Sequence, residues 1–452
     1  MRRFTAYFFV FISCIIANSC SDPITGNIEN QPPNTYLSLR PDSVIAPGST
    51  IKRINWWGDD PDGFISGYRI SFDSINWGFT NKNDSTFILS ITGSDSTFRF
   101  FVAAVDNKGL IDPTPATNLY PVVNTPPVVN FDAGTEIPDT TFPLATFKWT
   151  GSDADGDENL AYYHWSLNDT NNFRRVPSTV NLLTLTQDSG LVLNADNILY
   201  LRVEDDAGAF SPIVQMPDTG RIWHVKAQTA RILLIKDMPL IEFVQAENYF
   251  VNAMDTLSYD VLDIKSNGGN LIPKIVNPMF IETLRLFDIV IWSANRGNLA
   301  SDNANFDLAQ NSLPFYLQSG GKLFFTTGLP NAEVQGQGDL INFAPIDSLS
   351  TCTIALIPSG TSLINEDTSY PVLTSSSLLQ RIRGINITPP AQIVYRLPIS
   401  TACQTNTVIA IKDAANSPRN ILMTMPVYQL NGNPNASKEL FRKIILNEFN
   451  YR

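Results

Sequence analysis

The chain has 452 residues, 43% of them hydrophobic and 16% charged, with two histidines and four cysteines. Its 31 Lys+Arg stand against 43 Asp+Glu, a net charge of −12 with no basic arm, which argues against nucleic acid as a partner because phosphate backbones are bound through clustered positive charge. At about 150 residues per domain the length predicts about three domains, and two histidines leave little material for acid–base or zinc chemistry.

Residues 1–20 read as an export signal: Arg2 and Arg3 precede the mostly apolar stretch Phe4 to Ala17, which is shorter than the about 20 residues that span a bilayer. The stretch ends Ala17-Asn18-Ser19-Cys20, which resembles a bacterial lipobox and implies a lipid anchor on Cys20, membrane attachment and a place in the cell envelope. The same residues also fit an ordinary signal peptidase site, which would release a soluble protein. Either cleavage removes two arginines, taking the charge from −12 to −14. Residues 21–30 then read as a polar tether.

Comparison of the chain with itself reveals a repeat. Asn30-Gln-Pro-Pro33 recurs as Asn124-Thr-Pro-Pro127, Trp57-Gly-Asp-Asp-Pro-Asp-Gly63 as Trp149-Thr-Gly-Ser-Asp-Ala-Asp-Gly156, and Val102-Ala-Ala-Val-Asp-Asn-Lys-Gly109 as Leu201-Arg-Val-Glu-Asp-Asp-Ala-Gly208. Each unit holds short alternating runs, such as Tyr68 to Phe72 and Phe98 to Ala104, separated by Asn, Asp, Ser and Gly clusters. The expectation is two β-sandwich modules, residues 31–122 and 123–228.

These residues resemble fibronectin type III modules. The likeness rests on the leading proline pair, a core Trp (Trp56 or Trp57, then Trp149), Tyr68 or Tyr162/Tyr163 on the next strand, and the late V-x-A-x-D-x-x-G turn. The late-strand tyrosine of that family is replaced by Phe98, which leaves a related immunoglobulin-like sandwich open.

Asp60 and Asp62 in the first unit, and Asp153, Asp155 and Asp157 in the second, supply hard carboxylate oxygens at short spacing, as calcium prefers. The competing reading is a tight turn whose Asp side chains accept backbone N–H bonds while Gly63 or Gly156 takes positive φ.

From Arg231 the pattern changes. The runs Arg231 to Ile235 and Phe287 to Trp292 are continuously apolar, the mark of strands covered on both faces. Between them lie a helix with Phe243, Phe250, Val251, Met254 and Leu257 on one side, a strand Tyr259 to Ile264, and a helix from Met279 to Leu286. Ser312 is expected to cap a short helix carrying Leu313, Tyr316 and Leu317, stopped by Gly320-Gly321 before a strand Lys322 to Thr326. An amphipathic helix through Leu440, Phe441, Ile444, Ile445 and Phe449 closes the region. The alternation predicts an α/β doubly wound domain over residues 229–452, so the whole chain reads as multidomain, two all-β sandwiches followed by α/β.

Through Tyr259-Asp-Val, Phe287-Asp-Ile-Val-Ile, Leu317-Gln-Ser-Gly-Gly-Lys-Leu-Phe-Phe and Pro426-Val-Tyr-Gln-Leu, this half is similar to the class I glutamine amidotransferase-like fold, a flavodoxin-type sandwich. The family's nucleophile is a Cys on a strand-to-helix elbow, served by a downstream His and an acid. Here the elbow reads Thr326-Thr327-Gly328 and no histidine follows His224, so the resemblance implies a domain without that chemistry. No Walker A or dinucleotide fingerprint is present.

His164, between Tyr163 and Trp165, and His224, beside Trp223, read as structural. Asp237 follows the first strand, where open α/β sheets bind ligands, and is the expected pocket residue; its alternative is an acid favoured by a helix N-terminus. Cys352 and Cys403 would pair in an oxidising compartment or stand as two separate thiols. The expected function is non-catalytic binding of an envelope protein or glycan, against a carboxylate-dependent glycan hydrolase or a structural spacer.

Overall fold

The computed structural model describes residues 29–38, 49–90, 96–122, 124–265, 272–295, 305–328, 340–398 and 407–452. Cys20 and Cys403 lie outside them, as does the side chain of Cys352, so the lipid-anchor and disulfide expectations concern undescribed atoms. Among the described residues no helix is long and apolar enough to cross a membrane. The chain forms two compact units, one of residues 1–125 with 207–209 and the other of residues 126–206 with 210–452.

The first unit holds β1 (Asn34–Leu37), β2 (Ser49–Asp59), β3 (Ile65–Ser71), β4 (Gly78–Thr80), β5 (Asp84–Ser90), β6 (Ser96–Asp106) and β7 (Ala116–Val122). They form two antiparallel sheets, ordered β1-β2-β5 and β4-β3-β6-β7. Alternate residues face inward, so Ile54 and Trp56 of β2, Tyr68 of β3, and Phe100, Val102 and Ala104 of β6 make one core. The period of two settles the tryptophan choice: Trp56 is buried and Trp57 is half exposed, stacked on Tyr36 across β1.

The second unit opens with the same arrangement. Strands β8 (Val128–Phe131), β9 (Thr140–Thr141), β10 (Leu144–Ser152), β11 (Leu160–Leu167), β12 (Arg174–Pro177), β13 (Leu182–Thr186), β14 (Ala195–Asp196), β15 (Leu199–Asp205), β16 (Val214–Met216) and β17 (His224–Val225) follow in order. The sandwich sheets are β13-β10-β8 and β12-β11-β15-β16, strand for strand the order of the first module. Its core pairs Trp149 with Tyr163, edge to face at 5.6 Å, as Trp56 pairs with Tyr68 at 6.2 Å. Trp149 therefore corresponds to Trp56, not Trp57. The repeat then runs without a gap from the tryptophan through Gly58/Gly151, Asp60/Asp153 and Asp62/Asp155 to Gly63/Gly156. Gly151 donates its N–H to the Tyr163 hydroxyl at 3.0 Å, and a Cβ there would strike that oxygen.

The predicted boundary at 228/229 is a joint inside one compact unit. Strands β9, β14 and β17 form a small extra sheet, beneath which Trp223 donates its indole N–H to Thr141 Oγ1 at 2.9 Å. Phe142 leaves the sandwich to meet Phe287 edge to face at 4.9 Å, inside the core of the next domain. Lys226 covers the Phe142 ring and donates to the Val261 carbonyl; burial pushes its ammonium below the usual lysine range, against the pull of Asp260. Asp260 holds the linker itself, accepting from the N–H groups of Thr229 (2.8 Å) and Ala230 (2.9 Å) and from the Thr229 hydroxyl (2.7 Å).

The remaining elements are β18 (Ile232–Asp237), α1 (Phe243–Ala253), β19 (Asp260–Asp263), α2 (Ile281–Arg285), β20 (Ile289–Ala294), α3 (Phe306–Gln318), β21 (Lys322–Thr326), β22 (Ile346–Ile357), β23 (Ile364–Asn365), β24 (Leu379–Ile387), β25 (Gln392–Arg396), β26 (Val408–Lys412), β27 (Asn420–Met423) and α4 (Pro434–Arg442). Eight strands make one sheet, ordered β19-β18-β20-β21-β27-β26-β25-β23. The first five pair in parallel, and β26, β25 and β23 continue antiparallel. Even and odd residues of the parallel strands face opposite layers. Ile232, Leu234, Ile289, Ile291 and Phe324 pack with α1 and α4, whereas Leu233, Ile235, Val290, Trp292 and Phe325 pack with α2 and α3. The antiparallel pair β22–β24 stands apart as a two-stranded ribbon.

Two local expectations are corrected. Ser312 caps nothing: α3 starts at Phe306, and the Ser312 hydroxyl lies mid-helix, donating to the Leu308 carbonyl at 2.6 Å. Pro314 sits inside this helix, two turns after its start. On α1 the inward face is Ala246, Tyr249, Phe250 and Ala253, while Val251 is exposed.

Candidate functional site

Ligands of open parallel sheets settle outside the carboxyl ends of the strands, near the point where the strand order reverses. In this sheet that point lies between β18 and β20. Asp237 ends β18 there, as expected from the sequence, but it is fully buried and its oxygens are engaged by protein. Oδ2 accepts from the Asn305 backbone N–H (2.7 Å) and the Trp292 indole N–H (3.1 Å); Oδ1 accepts from the Asn305 side chain (2.8 Å), with Lys265 Nζ 3.8 Å away. Burial pushes its carboxyl up to about 6, against the lowering effects of the Asn305 N–H and Lys265. Both sequence readings meet in this residue. Asp237 stands at a ligand-side strand end and at a helix N-terminus, but the helix is α3, reached across the sheet.

The side chains above this clasp come from other strand ends. Glu242, just before α1, accepts at Oε2 from the Asn295 side-chain amide (2.7 Å) and from the Tyr428 hydroxyl. Asn295 directly follows β20, and Tyr428 lies in the turn after β27. Burial, and then the charge of Glu242, hold the Tyr428 phenol well above its ordinary range, so it stays a donor. Gly328, beyond β21, leaves room for Asn295, because a Cβ there would collide with Asn295 Oδ1. Four strands thus direct one half-buried carboxylate, one amide and one phenol to a common place. Sequence reasoning passed over all three. The available signal was position alone, each lying within a few residues after a buried strand.

The elbow hydroxyl is committed elsewhere. Thr326 Oγ1 donates to the Met425 carbonyl (2.7 Å) and accepts from the Val427 N–H (2.9 Å), and the Thr327 hydroxyl donates to the Gly328 carbonyl (3.1 Å). His164 meets Glu204 at 2.6 Å on the outer sheet of the second sandwich, and His224 meets Asp196 at 3.0 Å in the joint. At the opposite end of the sheet a cleft of about 620 Å³ is lined by Arg231, Asp288, Lys322 and Tyr451; its Arg231 is held by Asp288 through two 2.5 Å hydrogen bonds.

The aspartate loops are turns in both sandwiches. Asp60 Oδ1 accepts from the Asp62 N–H (3.3 Å), and Asp153 Oδ1 from the Asp155 N–H (2.9 Å). Asp157 returns a bond to the Asp153 N–H (2.9 Å), and Gly156 takes φ 126°. Among the described residues no group of three His, Cys, Asp or Glu side chains is placed to hold a metal ion.

No family model matches the chain, and no curated protein matches it. Among solved structures it is similar to the fibronectin(III)-like modules of Clostridium thermocellum CbhA, at 13% identity over 43% of this chain and 95% of that one, with a TM-score of 0.20. It is similar also to the FN1-FN3 domains of chicken CNTN1, at 14% identity over 45% of this chain and 69% of that one (TM-score 0.18), and to the PKD1 domain of Vibrio anguillarum Epp, at 20% identity over 22% of this chain and 100% of that one (TM-score 0.16). At these scores the likeness carries no argument about function; the sandwich architecture rests on the strand pairings above.

Proposed function

We propose that this protein is an envelope lipoprotein, anchored through Cys20, whose C-terminal domain binds a protein or glycan without catalysing a reaction. The export signal, the lipobox-like end and the tandem sandwiches support the address. The parallel strand order, second-first-third-fourth-fifth in chain sequence, is that of flavodoxin-type sheets and supports the amidotransferase-like resemblance.

The observation that carries the binding reading is the composition of the ligand-side strand ends. Glu242, Asn295 and Tyr428 offer a fixed acceptor and two polar neighbours suited to hydroxyl or amide groups, while Thr326 is locked and no histidine lies beyond His224. A two-acid hydrolase needs a second carboxylate in reach of substrate, and Asp237 is enclosed by protein. Affinity capture from envelope extracts with residues 23–452, beside the Glu242→Ala variant, tests the reading. Partners lost on substitution are the expected result, and a partner retained equally by both proteins refutes recognition at this place.

A further inference from the structure

We propose that the first sandwich carries a binding site of its own for a neutral saccharide, formed by the stacked pair Tyr36 and Trp57 and the polar cavity beside them. The first observation is the cavity. Its volume is about 420 Å³, within the range of small-molecule sites, and Asp59, Asp60, Asn81, Asn83, Gly58 and Phe64 are among the residues that line it. Asp59, Asn81 and Asn83 are exposed, and no lysine or arginine stands in the lining. Carboxylates accept hydrogen bonds and amides both donate and accept, which matches hydroxyl groups, themselves donors and acceptors. Two carboxylates repel an anionic ligand, and a simple cation would leave both asparagine amides unused.

The second observation is the aromatic pair. Tyr36 and Trp57 stack at 5.6 Å with their planes 18° apart, yet remain 43% and 50% exposed. Asp59 lies two residues beyond Trp57 on β2 and so shares its face of the sheet. The charge of Asp59, and a hydrogen bond to it, hold the Tyr36 phenol above its ordinary range, which joins the rings to the cavity wall. The second sandwich shows that the fold does without these groups. Aligned on Trp56 and Trp149, the positions of Tyr36, Trp57 and Asp59 are Asn130, Thr150 and Ser152 there. The frame itself is kept: the Asn83 carbonyl accepts the Trp56 N–H (2.9 Å) as the Asn181 carbonyl accepts that of Trp149 (3.1 Å). Two half-exposed rings that no packing requires are surface for a ligand. A sugar ring answers both features, with an apolar C–H face for the aromatics and a rim of hydroxyls for the cavity.

Titration of the full chain with cellotetraose, maltotetraose, xylotetraose and chitotetraose, followed by tryptophan fluorescence and calorimetry, tests this. At least one of these neutral sugars should bind with a Kd of about 1 mM or tighter. Trp57→Thr and Asp59→Ser place at the site what the second sandwich already carries, so the fold should survive while binding of that sugar weakens at least about tenfold. Tyr36→Asn should weaken it less. Failure of all the sugars to bind at about 10 mM, or equal binding by the folded Trp57→Thr protein, overturns the proposal.

Discussion

In module 1 the Trp56–Tyr68–Phe100 core is built from its own strands, and the small cluster of Leu89 and Val122 beside it takes in one residue from further along the chain, Ala207. Module 2 repeats the strand order and the Trp–Tyr pair, yet its core admits Met279 from the domain that follows and sends Phe142 into that domain in return. The added pieces are small, namely the sheet of β9, β14 and β17 and the linker clasped by Asp260. The lesson is that a duplicated sandwich changes from an independent unit to part of a larger one by exchanging a few apolar side chains at one end, with its sheets left intact.

The largest test of this contrast is truncation of each core tryptophan. Trp149→Ala and Trp56→Ala should each cost about 3–5 kcal/mol. By calorimetry, Trp149→Ala should lower the transition that includes the C-terminal domain, and Trp56→Ala should lower only the other. A C-terminal transition untouched by Trp149→Ala would break the comparison. Next, Asp260→Ala strands the buried Ala230 N–H and leaves the part-buried Thr229 N–H and hydroxyl to solvent, a cost of about 1–3 kcal/mol, and should open residues 226–231 to limited proteolysis.

Asp237 adds a pH test within the larger unit. Its folded carboxyl is raised from 3.8 to about 6, so the stability it contributes is fully present below the ordinary value and is lost as pH rises through about 6. Relative to Asp237→Asn, wild-type protein should therefore lose roughly 2 kcal/mol between about pH 4 and pH 7, read from urea melts at both. A constant difference would place the titration elsewhere. The smallest effect is at the joint: Trp223→Phe removes one buried hydrogen bond to Thr141 and should cost about 1 kcal/mol in the same melts.

The parts legible in the sequence were those with a strong period. Buried parallel strands announce themselves as unbroken apolar runs, and Ile232–Asp237 and Ile289–Ala294 fall where those runs place them. The final amphipathic helix buries Leu440, Phe441, Ile444, Ile445 and Phe449 as its pattern requires. The ribbon of β22 and β24 was invisible, because Ile346–Ile357 and Leu379–Ile387 mix polar and apolar residues with no sustained alternation along both strands. At the candidate site, Asp237 was found by its place after a strand, but Glu242, Asn295 and Tyr428 come together only through the fold. Their identities, a glutamate, an asparagine and a tyrosine in turns, carry no local signal.

The parallel sheet has a consequence for how the chain folds. Leu323 of β21 pairs with Asn420 of β27, 97 positions further on, and α4 completes the layer over β18, the first strand. Such pairings are of high contact order, and the entropy of closing so long a loop must be met before the strands reward it. Residues 232–326 can gather locally, but their sheet stays open along β21 until the last fifth of the chain arrives. This domain should therefore reach its native form late and all at once, with the second sandwich, whose two sheets pair residues no more than 45 positions apart, ready beforehand as the surface on which it settles.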